Sequence, residues 1–277
     1  MEKVKIITDS TAYITKEYAA QEKITMVPLN YIFGDEMGKE PFPGEFRDFF
    51  EKLKNTKLFP TTSQPSAGDF FQAFNQAFEE GYESIVAILL SSKLSGTYNS
   101  AVLAKNMLDN KRIIIIDSLN AAANLKFLVE EAVGLAKEGK TAEAIGDHLN
   151  KMKEKMYVYL TTDTLEYLSR GGRLSSVQAT VGNILNIKPV IELKDGELKL
   201  LEKVRGKNKA ISAIIEKVPE DVKKIGICHV LDEEYAEKMK TSLQEKFPHV
   251  TITIDEIGPV IGSHLGPKGI GICFYNF

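Results

Sequence analysis

Ile85-Val86-Ala87-Ile88-Leu89-Leu90-Ser91-Ser92-Lys93-Leu94-Ser95-Gly96-Thr97 is the stretch on which the reading of this 277-residue chain turns. Ile85 to Leu90 is an unbroken apolar run of strand length. Ser91 to Thr97 is mostly small and hydroxylated and contains a glycine. Tyr98 to Leu108 then places apolar residues at helical spacing. A buried strand that runs through such a turn into a helix is the repeating unit of an open α/β sheet. That architecture binds ligands beyond the carboxyl ends of its strands, where the next helix offers free backbone N–H groups. The geometry favours an anionic head group.

Two further segments repeat the pattern. Val4 to Thr8 runs into Asp9-Ser10-Thr11, and Arg112 to Ile116 into Asp117-Ser118. Three strands ending in acids and hydroxyls predict a shared polar crevice at one sheet edge. Thr15 to Gln21 reads as a helix, and Thr25 to Phe33 as one strand. Gly34 to Gly44, with three glycines and two prolines, reads as a loop. Phe46, Phe49, Phe50 and Leu53 form a helical stripe that suits either the core or the wall of an apolar pocket. Thr61, Thr62 and Ser63 read as turn and cap chemistry, and Ser66 with Asp69 as the N-cap of a helix reaching Glu80. Helices are expected from Asn124 to Lys137 and from Thr141 to Lys153.

Near residue 155 the pattern changes. Tyr157 to Thr162 reads as a strand and Thr164 to Ser169 as a short helix. Arg170-Gly171-Gly172-Arg173 breaks the chain, and Ser175 can cap a helix to about Leu185. Asp195-Gly196 between two strand-like runs signals a hairpin. Helices Lys207 to Val218 and Asp232 to Phe247 alternate with strands Lys223 to Val230 and Val250 to Ile257. Gly258 to Gly271, with five glycines and two prolines, reads as a shaped loop with His264 in its middle. The expected fold class is α/β in two domains. Residues 1–154 would form an N-terminal domain with a largely parallel sheet flanked by helices. Residues 155–277 would form a C-terminal α/β domain with antiparallel strands.

Composition narrows the function. Apolar residues at 43% and charged residues at 26% are those of a soluble globular protein. A net charge of −3 argues against general binding to nucleic acid or to a membrane surface. No apolar run approaches the roughly 20 residues that span a bilayer, and no signal-peptide core follows Met1. Cys228 and Cys273 sit in apolar strand-like stretches without metal or redox spacing, which suits buried thiols in a reducing cytoplasm.

Thr8-Asp9-Ser10-Thr11, Thr62-Ser63-Gln64-Pro65-Ser66, the Ser91 to Thr97 turn, Asp117-Ser118, Leu165 to Arg173 and Gly258 to Pro267 together resemble the DegV family. The resemblance runs in order nearly to the C-terminus. It implies a monomeric, cytoplasmic protein holding a long-chain fatty acid in an apolar tunnel, with the carboxylate at the domain junction. It maps the carboxylate-binding groups onto Thr62, Ser95 and His264. It also implies a fatty-acid kinase as partner, to which the acid is presented for acyl-phosphate formation, with Arg170, Arg173 and, less directly, Arg205 as contacts. No cofactor or metal is implied for the chain itself. Lys268 stands where the family usually has glycine, and Gly38-Lys39-Glu40-Pro41 stands where many members carry Asp-Gly.

Elementary energetics agree with a lipid ligand. Burial of each methylene contributes about 0.8 kcal/mol, so the tail supplies most of the affinity. Hydroxyls and a neutral histidine can then hold the carboxylate with no formal cation beside it. The rival reading is a serine hydrolase acting on a lipid-like ester, with Ser95 as nucleophile, His264 as base and Asp9 or Asp117 as orienting acid, although Ser95 lacks a G-x-S-x-G setting. A nucleotide site lacks a phosphate-binding motif. A DNA-binding role lacks a basic recognition helix.

Overall fold

The strand Val4–Asp9 (β1) opens the chain, and a 3-10 turn, Ser10–Ala12, follows it. The computed structural model describes residues 2–56, 58–109, 112–174 and 186–277. The helix Lys16–Gln21 (α1) leads to the strands Thr25–Val27 (β2), Asn30–Phe33 (β3) and Glu36–Lys39 (β4). The expected single strand 25–33 is therefore two. Pro28 has no N–H to give a ladder, and the halves join different sheets. The expected 34–44 loop contains β4, paired back on β3 as a short hairpin.

The helix Arg47–Lys54 (α2) precedes the strand Thr61–Ser63 (β5), where a turn was expected. β5 pairs with β3, Thr62 opposite Tyr31. Helix Ala67–Glu79 (α3) starts with the predicted capping box, Ser66 and Asp69 exchanging hydrogen bonds. Strand Ser84–Leu89 (β6), helix Thr97–Leu108 (α4) and strand Ile113–Asp117 (β7) follow. The four-stranded sheet β2-β1-β6-β7 is parallel throughout. Every β6 residue is buried, as its apolar run requires.

Helices Ala122–Lys137 (α5) and Ala142–Met152 (α6) lead to the strand Met156–Thr161 (β8) and the short helix Glu166–Arg170 (α7). The Ser175 cap and its helix to Leu185 lie outside the described residues. Strands Ile187–Lys194 (β9) and Glu197–Arg205 (β10) meet at Asp195-Gly196, with φ of 54° and 82°, the left-handed pair that closes a two-residue hairpin. Helix Lys207–Glu216 (α8), strand Lys224–His229 (β11), helix Glu233–Lys246 (α9), strand Thr251–Glu256 (β12), helix Pro259–Leu265 (α10) and strand Ile270–Tyr275 (β13) complete the chain. The six-stranded sheet runs β10-β9-β8-β13-β11-β12 and is antiparallel except for β11–β12. The last strand in sequence thus sits inside the sheet.

α5 packs against β1 and β6 on one side and against β8, β11 and β13 on the other. One apolar core runs through it, from Ile6 and Val86 to Val158 and Cys228. A polar tie adds to this contact: the Ser91 hydroxyl donates to the Gly196 carbonyl at 2.8 Å, joining the end of β6 to the hairpin turn.

Candidate functional site

The parallel-sheet ends do meet, but their acids are spent on backbone. Asp9 accepts from Leu90 N at 2.7 Å and from Thr11 N and Oγ1. Asp117 accepts from Ser92 N at 3.0 Å and from Leu119 N. The shared polar crevice is therefore a set of closed strand ends. The cavity beside them is apolar.

That cavity has an empty volume of about 860 Å³ counting its open mouth. Its floor is one face of the six-stranded sheet. Two cross-strand rows supply it: Leu198, Leu193, Val158 and Cys273 in one, Leu160, Gly271 and Cys228 in the other. Leu29, Leu90, Leu94, Ala121 and Ala122 close it from the parallel-sheet side. Phenylalanines are missing from this lining. Phe49 packs edge-on against Tyr31, Phe33 and Phe50, so the aromatic stripe is core. Cys228 and Cys273 are buried free thiols, their sulfurs 3.9 Å apart in the cavity wall.

Among the described residues, four polar side chains line this otherwise apolar space: Thr62, Ser95, Arg173 and His264. Thr62 reaches it from β5. Ser95 stands in the turn before α4, its hydroxyl 2.9 Å from Thr97 Oγ1. His264 is on α10, where a loop was expected. Pro259 occupies the first turn, where its missing N–H is harmless, and Gly266 ends the helix at φ 74°. Glycine richness hid a helix whose glycines allow close packing, as where Phe50 approaches Gly262.

Thr62 Oγ1 and His264 Nε2 lie within hydrogen-bonding distance, and His264 Nδ1 is buried without a partner. Burial, and then the Arg173 charge, push the His264 pKa down to about 4, so the imidazole is neutral near pH 7. Either tautomer leaves the pair one proton to give, on the threonine hydroxyl or on Nδ1. Gly171 makes room for the ring: a β-carbon there would collide with Nδ1.

Arg173 corrects the expectation that no cation stands among these groups. It is half-buried in the cavity wall, its guanidinium donating to the carbonyls of Leu94 and Gly171. A cation therefore does stand in the same cavity wall as Thr62, Ser95 and His264. Sequence alone could not place it next to Leu94, 79 residues away. Arg170 is exposed, paired with Glu166 at 2.8 Å and stacked on Phe59. Arg205 is exposed at the end of β10. Lys268 is exposed outside the cavity at φ 63°, a conformation that suits glycine.

The hydrolase geometry is not assembled. Among the described residues no hydrogen bond joins Ser95 to His264, and neither Asp9 nor Asp117 bonds the imidazole. The fold and cavity define an α/β protein with a largely apolar cavity in which Thr62 and His264 lie within hydrogen-bonding distance. A family model described as "Uncharacterised protein, DegV family" matches residues 3–276, and the chain belongs to that family. A DegV domain-containing protein of Halalkalibacterium halodurans is 39% identical over 280 residues, covering 99% of each chain. The crystal structure of DegV from Bacillus subtilis, described as a fatty acid binding protein, superposes with a TM-score of 0.89 at 35% identity, covering 99% of each chain. The Fatty Acid Kinase (Fak) B3 protein of Streptococcus pneumoniae, solved loaded with linoleic acid, shares the fold at a TM-score of 0.85 and 24% identity, covering the whole of both chains.

Proposed function

We propose that this protein binds one long-chain fatty acid and presents it to a separate fatty-acid kinase. The observation that carries the reading is the lining itself: four polar side chains against an otherwise apolar wall. The carboxylate is held by Thr62, Ser95 and His264, with Arg173 beside them offsetting the cost of enclosing an anion. The acyl chain lies on the sheet floor, each buried methylene contributing about 0.8 kcal/mol. The fatty-acid binding described for the Bacillus subtilis relative supports this ligand class.

The protein is a carrier. The kinase supplies ATP, and the carboxylate accepts the phosphoryl group. Arg170 and Arg205, exposed on the outside, serve docking. The cavity lies at the junction of an N-terminal unit, 1–154, and a C-terminal unit, 155–277. The protein works as a monomer in the cytoplasm, where its two buried thiols stay reduced. No helix among the described residues is long and apolar enough to cross a membrane.

Denaturing extraction followed by lipid mass spectrometry tests the reading. A stoichiometric long-chain fatty acid is expected. Protein that carries none, and takes up none when offered, overturns it. Arg170→Glu tests the kinase step: acyl-phosphate formation falls while acid binding is unchanged.

A further inference from the structure

Glu40 is a carboxylate buried outside the cavity, 1% exposed. It follows β4, and its own N–H is fixed to the Leu29 carbonyl at 2.8 Å. One carboxylate oxygen accepts from the Ser10 hydroxyl at 2.6 Å. The other accepts from Val260 N at 2.7 Å and from the Tyr13 hydroxyl at 3.4 Å. Ser10 in turn accepts from Leu29 N at 3.1 Å. One side chain thus ties the end of β1 and the β2–β3 connection to the first turn of α10, across 220 residues of sequence.

Val260 is the second residue of α10. The free N–H groups of a helix start need an acceptor. The N-cap here is Gly258, which has no side chain to offer. Glu40 supplies the missing cap from another part of the chain. Four residues beyond Val260, the same helix carries His264 to Thr62. We propose that Glu40 is a positioning residue for His264, holding α10 at the height and rotation that bring the imidazole to the head group. The inference rests on the fatty-acid reading of the cavity.

The clamp contains its own pH dependence. Burial, and then the charge of Asp9, raise the Glu40 carboxyl to about 7, while Ser10, Val260 and Tyr13 favour its ionised form. The titratable groups facing it are Asp9 at the end of β1 and Tyr13 after the 3-10 turn, with Cys228 on β11 beside Tyr13. Protonation replaces one accepting lone pair with a donor that must find a new partner. The hold on α10 therefore slackens as pH falls through 7.

Two measurements on the full chain test this. Backbone amide exchange across 259–265 is read in ligand-free protein, and palmitate affinity is read from pH 5.5 to 8.5. Glu40→Ala is expected to speed exchange in α10 and weaken palmitate about tenfold, the loss expected for one charged hydrogen-bond acceptor. Glu40→Gln keeps an acceptor for Val260, so it restores slow exchange but flattens the affinity profile between pH 6 and 8. Equal exchange and an unchanged pH profile in both variants overturn the proposal. Should Glu40→Ala fail to fold, Glu40→Gln decides alone: a profile that keeps its slope overturns it. A wild-type chain that binds no palmitate refutes the fatty-acid reading, while the exchange data still report whether the clamp exists.

Discussion

Thr62 Oγ1 and His264 Nε2 stand 2.8 Å apart although 202 residues separate them in sequence. Their meeting depends on two elements that propensity alone disfavours, a three-residue polar strand and a glycine-rich helix. Ser95→Ala and His264→Ala are each expected to weaken fatty-acid binding by about 1–3 kcal/mol, the cost of stranding a partly buried polar partner. Displacement of a fluorescent fatty acid measures this. Unchanged affinity in both variants removes the two residues from the site.

Gly171 and its neighbour Gly172 separate packing from backbone strain. Gly171 has an ordinary φ of −72°, but a β-carbon there would meet His264 Nδ1. Gly172 has open space around it and a φ of 67°. Gly171→Ala is expected to lose fatty-acid affinity while keeping most of its stability. Gly172→Ala is expected to lose about 1–2 kcal/mol of stability through its left-handed backbone and to bind normally. Denaturant melts and binding titrations of the two variants make the comparison.

Acid titration has a defined sign at His264. Its folded pKa of about 4 lies below its ordinary 6.5, so the stability tied to the neutral ring is complete above 6.5 and is lost as pH falls through 4. The loss amounts to about 3 kcal/mol. Glu40 runs the opposite way. Its raised pKa favours the folded state below 4.5, and that gain disappears as pH rises through 7. Between pH 4.5 and 6.5 the two slopes oppose each other, so urea midpoints of the unaltered chain should be nearly flat there. His264→Gln should leave midpoints that fall as pH rises from 4.5 to 7, and Glu40→Gln midpoints that fall as pH drops from 6.5 to 4.

Val158 and Leu193 are cross-strand partners in the cavity floor, and both also line a second, more polar cavity. Val158→Phe fills the floor. It is expected to penalise octadecanoate more than dodecanoate, by about 0.8 kcal/mol for each methylene excluded. A constant ratio of the two affinities would place the tail elsewhere.

The sequence exposed features that local chemistry determines. Ser66 and Asp69 cap α3, Asp195-Gly196 closes the hairpin, and the β6 run is a buried central strand. It hid features that depend on distant partners. β4 and β5 carry no apolar alternation, and they exist because β3 lies between them as a template. α10 reads as a loop because its glycines and prolines serve packing and capping. The inward turn of the Arg173 and Glu40 side chains depends on partners distant in sequence, Leu94 and Val260. Within the site, Thr62, Ser95 and His264 were found through motifs. Arg173 also falls in a motif, but its place beside Leu94 and His264 is visible only in the folded chain.

The interior position of β13 bears on how this protein is made. β8 and β11 are its neighbours on either side, and it supplies Gly271 and Cys273 to the floor. On the ribosome, β8 and β11 emerge first and must wait, edges unpaired, until residue 275 has cleared the exit tunnel. Such waiting edges invite mispairing. A nascent chain halted short of residue 270 has a gap in the middle of its sheet, and its cavity lacks Gly271 and Cys273. β13 must therefore be seated before the cavity has its full wall.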